Sequence, residues 1–166
     1  WDGEYDPTWA YQTTDAGDFD VYTKLTAPAI DTDYEQAGIL AATDSTNFWK
    51  ICMINDSGRK IQFGNTIDGV ANSDYQVNVS YATQTTVYLR LRRVSGVVTA
   101  FYIPDGGDSW IQLGQPTYQL TSGADVDIGL YANHPGGSQF TATFDYLCRL
   151  FCCTLCWFGS GPGCPG

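Results

Sequence analysis

The segment Thr86–Trp110, TVYLRLRRVSGVVTAFYIPDGGDSW, constrains the fold more than any other stretch of the chain. Val87, Leu89 and Leu91 alternate with Tyr88, Arg90 and Arg92. That period of two belongs to a half-buried strand, because successive side chains point to opposite faces of a sheet. Ser95-Gly96 supplies the two residues of a tight hairpin turn, and Val97–Ile103 is a return strand rich in β-branched and aromatic residues. One face of the hairpin must be core. The other is expected to carry Tyr88, Arg90, Arg92 and Tyr102, so function turns on what that face meets.

Composition extends this β reading to the whole chain. The 166 residues suffice for one domain with a core of its own. Hydrophobic residues make up 43% and charged residues only 16%, with 18 Gly and 11 Tyr, and no long segment has the 3.6 period of an amphipathic helix. The acid is almost entirely aspartate, a turn former, since Glu4 and Glu35 are the only glutamates. The formal net charge of −10 argues against nucleic acid and anionic membrane surfaces as partners, because both require a basic face. The apolar stretch Leu147–Phe158 is too short to cross a bilayer, which takes about 20 residues. The chain begins at Trp1 rather than Met and shows no signal peptide, the expectation for a processed or trimmed mature form.

Read in order, residues 1–16 form an N-terminal lead-in or edge strand, residues 17–147 a β-sandwich domain, and residues 148–166 a Cys/Gly/Pro-rich tail. Strands are predicted at Gly17–Thr26, Glu35–Ala42, Asn47–Ile54, Lys60–Phe63, Gln76–Tyr81, the two arms of the hairpin, Asp125–Asn133 and Gln139–Leu147. Nine or ten strands spaced by roughly ten residues predict an all-β, two-sheet antiparallel sandwich of the jelly-roll kind. No repeat of propeller or solenoid length is present.

The order of the signals carries a resemblance. Residues 18–26 (DFDVYTKLT), 35–42 (EQAGILAA), 47–51 (NFWKI), 88–92 (YLRLR), 105–110 (DGGDSW), 127–132 (DIGLYA) and 140–146 (FTATFDY) together resemble the concanavalin A-like lectin/glucanase superfamily of jelly rolls, and within it the small non-catalytic accessory domains. The resemblance implies two antiparallel sheets packed face to face, one of them concave. It also implies an association with glycan binding in secreted or surface proteins.

Glycoside hydrolysis needs two carboxyl groups flanking the scissile bond. Glu4 and Glu35 are isolated, and the pairs Asp18/Asp20, Asp31/Asp33 and Asp125/Asp127 read as turn and strand-edge residues. No enzyme is expected. His134 lies in a Pro/Gly turn with no nucleophile motif beside it and reads as a loop residue. Glycan binding asks instead for aromatic rings that stack on sugar faces, with polar groups beside them. The candidate ligand-binding residues are Tyr88, Arg90, Arg92, Tyr102, Trp110 and Tyr131, with Tyr22 and Lys50 on neighbouring strands and His134 at the rim. No cofactor is expected; a calcium ion, were one held, would draw on Asp105, Asp108 and the Asp31–Asp33 loop.

Five of the six cysteines fall late in the chain, at Cys148, Cys152, Cys153, Cys156 and Cys164, with Cys52 in a strand. Only Cys153 and Cys156 have zinc-site spacing, so disulfides fit better, with connectivity open. Asn55 and Asn78 stand in N-glycosylation patterns. Two functions remain open at this point. One is a non-catalytic extracellular carbohydrate-binding domain. The other is a structural subunit of an extracellular fibre, sheath or coat, pairing with copies of itself by strand addition or through its tail.

Overall fold

The computed structural model describes residues 8–14, 17–71, 77–81, 83–114, 125–134 and 140–149. Among these residues there are twelve strands and no helix: β1 (Thr8–Thr14), β2 (Phe19–Thr26), β3 (Gln36–Asp44), β4 (Asn47–Asn55), β5 (Arg59–Ile67), β6 (Val70–Ala71), β7 (Val77–Ser80), β8 (Thr86–Val94), β9 (Val97–Pro104), β10 (Ile111–Leu113), β11 (Val126–Asn133) and β12 (Thr143–Arg149). They form two antiparallel sheets. One has the order β1-β11-β3-β4-β5-β6, with β7 also paired to β5, and the other the order β10-β9-β8-β2-β12. This is the all-β sandwich predicted from the strand pattern, with β6 and β10 as short additions too brief to leave a periodic signature.

The hairpins follow their turn residues. Ser95 and Gly96 adopt positive φ of 50° and 82°, and Val94 pairs with Val97, so β8 and β9 are joined by a two-residue turn whose twist matches the strands. Asp68 and Gly69 repeat the device between β5 and β6. Between β3 and β4, Asp44 Oδ1 accepts the Thr46 amide and hydroxyl, both at 2.7 Å, and these bonds hold its carboxyl below its ordinary value.

The core lies between the sheets. Val87, Leu89 and Leu91 of β8 face Ile39 of β3 and Ile51 and Met53 of β4, all essentially inaccessible. Trp49 stacks on Phe63 with ring centroids 5.3 Å apart. Unlike the hairpin, β3 and β4 do not alternate polar with apolar residues, and their second faces are buried too. Leu40, Ala42, Phe48, Cys52, Ile54 and Tyr131 form a separate apolar cluster on the outer side of the seven-stranded sheet, with Trp9 packed against it. Gly129 permits this close approach: a Cβ there would lie 2.7 Å from the Trp9 indole nitrogen and 2.1 Å from the Ala10 carbonyl.

Candidate functional site

The outer face of the five-stranded sheet is built by register. Asp20 pairs with Arg92, Tyr22 with Arg90 and Lys24 with Tyr88 across β2 and β8. Arg90 pairs with Phe101 and Arg92 with Thr99 across β8 and β9. Alternation therefore brings Tyr22, Tyr88 and Phe101 onto one surface with two arginines and a lysine. Trp110, from the loop after β9, and Tyr146, on β12, complete it.

Arg90 is the hub. Its Nε donates to Asp20 Oδ1 at 2.7 Å and its Nη2 to Asp20 Oδ2 at 2.5 Å, the two-pronged geometry that a guanidinium and a carboxylate share. The hydrogen bond to Asp20 raises the Arg90 pKa above its ordinary value. The guanidinium carbon also lies 5.5 Å from the ring centroids of both Phe101 and Trp110, within cation–π range. Tyr22 meets Trp110 and Tyr146 edge-on, at 6.1 and 5.8 Å. Lys24 Nζ lies 2.9 Å from Asp145 Oδ2. Arg92 Nε is 3.6 Å from Asp20 Oδ2, and the Arg92 side chain keeps 45% of its surface exposed. Tyr88, Phe101, Trp110 and Tyr146 are all part-buried.

Tyr81 positions the loop that delivers Trp110. Its hydroxyl donates to the Thr86 carbonyl at 2.7 Å and accepts the Asp105 amide at 2.8 Å, tying both ends of the hairpin together. Burial raises its phenol above the ordinary range. Gly106 at φ 75° and the bond from the Gly107 amide to the Pro104 carbonyl close the turn that follows.

The structure thus brings together Tyr88, Arg90, Arg92 and Trp110, as well as Tyr22. It separates the others. Tyr102 is a correction: it pairs with Leu89, not with an arginine, and is 8% exposed in the core. The two-residue turn fixes that parity, since pairing Val94 with Val97 puts Tyr88 opposite Ile103. Tyr131 and Lys50 lie on the other sheet, where Tyr131 is 1% exposed in the second apolar cluster. There the Gln36 side-chain oxygen accepts bonds from Lys50 Nζ at 2.7 Å and the Tyr131 hydroxyl at 3.0 Å, with Cys52 Sγ at 3.8 Å. Burial raises the Tyr131 and Cys52 pKa values.

His134 is not at the rim of the aromatic face. Its Nδ1 lies 2.8 Å from Glu35 Oε1, while Glu35 Oε2 accepts the amides of Asp31 and Thr32, both at 2.8 Å. Glu35 is 3% exposed and serves as a loop anchor. Of the two glycosylation candidates, Asn55 ends β4 at 9% exposure and accepts the Gly58 amide, and Asn78 is exposed and bonded to Gln62. Asp31 pairs with Arg59, Asp33 caps Ser57, and Asp108 accepts the Ser109 hydroxyl. Among the described residues no group of three or more His, Cys, Asp or Glu side chains is placed to hold a metal ion. Cys148 is buried opposite Tyr22 on β12; Cys152, Cys153, Cys156 and Cys164 lie outside the described residues. Asp20, Phe101, Tyr146 and Tyr81 were missed as site residues. Asp20 and Phe101 share the face of Arg90 and are recoverable from strand pairing, whereas Tyr146 falls in the register shift between Phe144 and Leu147 and the role of Tyr81 depends on a contact 24 residues away in sequence.

Two antiparallel sheets in this order define a jelly-roll type of β-sandwich, with an aromatic and cationic outer face on the five-stranded sheet. The chain belongs to the DUF1349 family, described as a protein of unknown function, whose sequence profile matches residues 4–149. No curated protein sequence matches it. Among solved structures it is similar to part of the xylan β-1,4-xylosidase from Bacillus halodurans C-125, with 16% identity and a TM-score of 0.74 over 87% of this chain and 30% of that one. The carbohydrate binding module CBM66 from Bacillus subtilis shares 12% identity and a TM-score of 0.51, covering 87% of this chain and 91% of that one. A tetrameric galectin from the sponge Cinachyrella sp. shares 13% identity and a TM-score of 0.53, covering 86% and 100%. This chain spans less than a third of the xylosidase.

Proposed function

We propose that this chain is a non-catalytic, extracellular carbohydrate-binding domain whose ligand lies on the outer face of the five-stranded sheet. The observation that carries the reading is the gathering of the part-buried rings Tyr88, Phe101, Trp110 and Tyr146 on the face of one ion-paired arginine, with Tyr22, 6% exposed, packed edge-on against Trp110 and Tyr146 as their support. Aromatic rings offer flat apolar surface to the C–H face of a sugar, and the charged groups bond its hydroxyls. The carbohydrate-binding module and the galectin support the assignment as relatives in fold. The absence of catalysis is supported by the described carboxylates: Glu35 is buried with both oxygens engaged, and Asp20 is held by Arg90. An oxidising, extracellular setting is supported by the even count of six cysteines, five of them gathered at the end of the chain.

Binding to a glycan array by the wild type and by Trp110→Ala and Tyr88→Ala variants tests the proposal. Specific binding that both variants lose is expected; an array with no bound glycan would overturn it. One observation favours the subunit reading as a second possibility. β1 is a mostly exposed edge strand whose seven residues, TWAYQTT, carry no charge to deter pairing with another sheet. Light scattering after size exclusion would show polymers if that edge recruits a second copy.

A further inference from the structure

Resting on that reading, we infer that the face recognises acidic glycans, chains bearing sugar carboxylates such as uronic acids, rather than neutral ones. The first ground is charge. The whole chain carries −10, yet three of its eight Lys and Arg residues stand on this one face: Lys24, Arg90 and Arg92. Set against them are Asp20 and Asp145, so the face carries three positive charges and two negative, an excess of one. At physiological salt charges interact over about 8 Å, so a ligand on the face feels these five groups more than the remote acidic loops.

The second ground is how the charges are committed. Asp145 is matched by Lys24, and Asp20 receives two short bonds from Arg90. Arg92 is left with a 3.6 Å approach to an oxygen that Arg90 already holds, and it is nearly half exposed. The excess positive charge therefore sits on Arg92. A guanidinium presents a planar fork of donors that fits a carboxylate two-fold.

The third ground is the balance of donors and acceptors. Sugar hydroxyls both give and take hydrogen bonds, and sites for neutral sugars need acceptors. Here Arg90 has three further N–H groups beyond the two given to Asp20, and Arg92 has five, whereas Asp20 is held by Arg90 and Asp145, 41% exposed beside Lys24, is the carboxylate that keeps acceptor positions open. Open donors therefore outnumber open carboxylate acceptors on the face. A sugar carboxylate, an acceptor alone, satisfies that imbalance, with its ring against Tyr88 or the neighbouring aromatic surface.

The test uses the full chain and two probes that differ only in charge, an oligogalacturonate and its methyl ester, measured by titration calorimetry. The acid is expected to bind at least about tenfold more tightly than the ester, the gain of one charge-assisted contact. Raising salt from 50 to 500 mM should erode that advantage, and Arg92→Gln, at an exposed position, should abolish it with an unchanged circular dichroism spectrum. Equal affinity for acid and ester would overturn this inference while leaving glycan binding intact. An acid preference that survives Arg92→Gln would overturn the assignment to Arg92. No binding of either probe, with an array of neutral glycans that does bind, would likewise overturn it, and a silent array as well would remove the parent reading.

Discussion

Arg90 and Asp20 face each other across adjacent strands, and both carboxylate oxygens accept from the same guanidinium, at 2.7 and 2.5 Å. The pair is four-fifths buried, with side-chain exposures of 20% and 16%. It sits where β2 and β8 hydrogen-bond, and it holds Arg90 between Phe101 and Trp110. The site is therefore part of the sheet rather than an ornament on it.

Removing the acid alone tests that dependence. Asp20→Ala leaves two guanidiniums side by side with one partner gone, and should cost about 1–3 kcal/mol in urea unfolding. Near-surface screening holds the value toward the lower end. A loss below the error of the measurement would show that the pair does not organise the face.

Tyr88 and Tyr102 should separate binding from stability. Tyr102→Ala empties a core position and should destabilise by about 3–5 kcal/mol, as for other large aromatic truncations. Tyr88→Ala, on the part-buried outer face, should cost about 1 kcal/mol or less but abolish glycan binding. The reverse pattern would mean the hairpin faces are assigned the wrong way round.

Tyr81→Phe removes the hydroxyl that joins Thr86 to Asp105 and leaves the ring in place. A loss of about 1–2 kcal/mol is expected, from two hydrogen bonds at a part-buried position. Because the same loop carries Trp110, its indole fluorescence should shift to the red and glycan affinity should fall. Unchanged fluorescence and affinity would make Tyr81 a stabilising residue only.

Glu35→Ala unties two backbone donors, the amides of Asp31 and Thr32, and removes the 2.8 Å contact with the His134 ring. At a nearly inaccessible position this should cost on the order of 3 kcal/mol or more, whereas an active-site carboxylate would show little loss of stability. Thermal denaturation of the variant distinguishes the two roles.

Alkaline pH should weaken the fold through Tyr131 and Cys52. Burial raises both above their ordinary values of 10.0 and 9.0. Their contribution is fully present below those values. Above about pH 9 the unfolded chain releases protons that the native chain retains, so stability falls as pH rises toward the raised native values. Urea titrations between pH 8 and 11 should show the decline, with a shallower slope in Tyr131→Phe. Stability that holds or rises over that range would contradict the buried placement of both groups.

The strand pattern of β8, the Ser95-Gly96 turn and the motif order identified a jelly roll because alternation and turn chemistry are local properties, written in consecutive residues. The placement of Tyr88, Arg90 and Arg92 on one face followed from the same period. What local pattern did not reveal was which strands share a sheet. Tyr131 and Lys50 alternate outward as cleanly as Tyr22, yet β11 and β4 belong to the seven-stranded sheet, so they lie on the far side of the sandwich. The continuous apolar runs of β3 and β4 signalled burial on both faces, but only tertiary packing decided that the second face closes over Cys52 and Tyr131. The chain by itself determined that Thr86–Trp110 is a hairpin with one polar face. Long-range strand pairing decided that this face receives Asp20, Tyr22 and Tyr146, because hydrogen-bonded register joins residues that sequence keeps far apart.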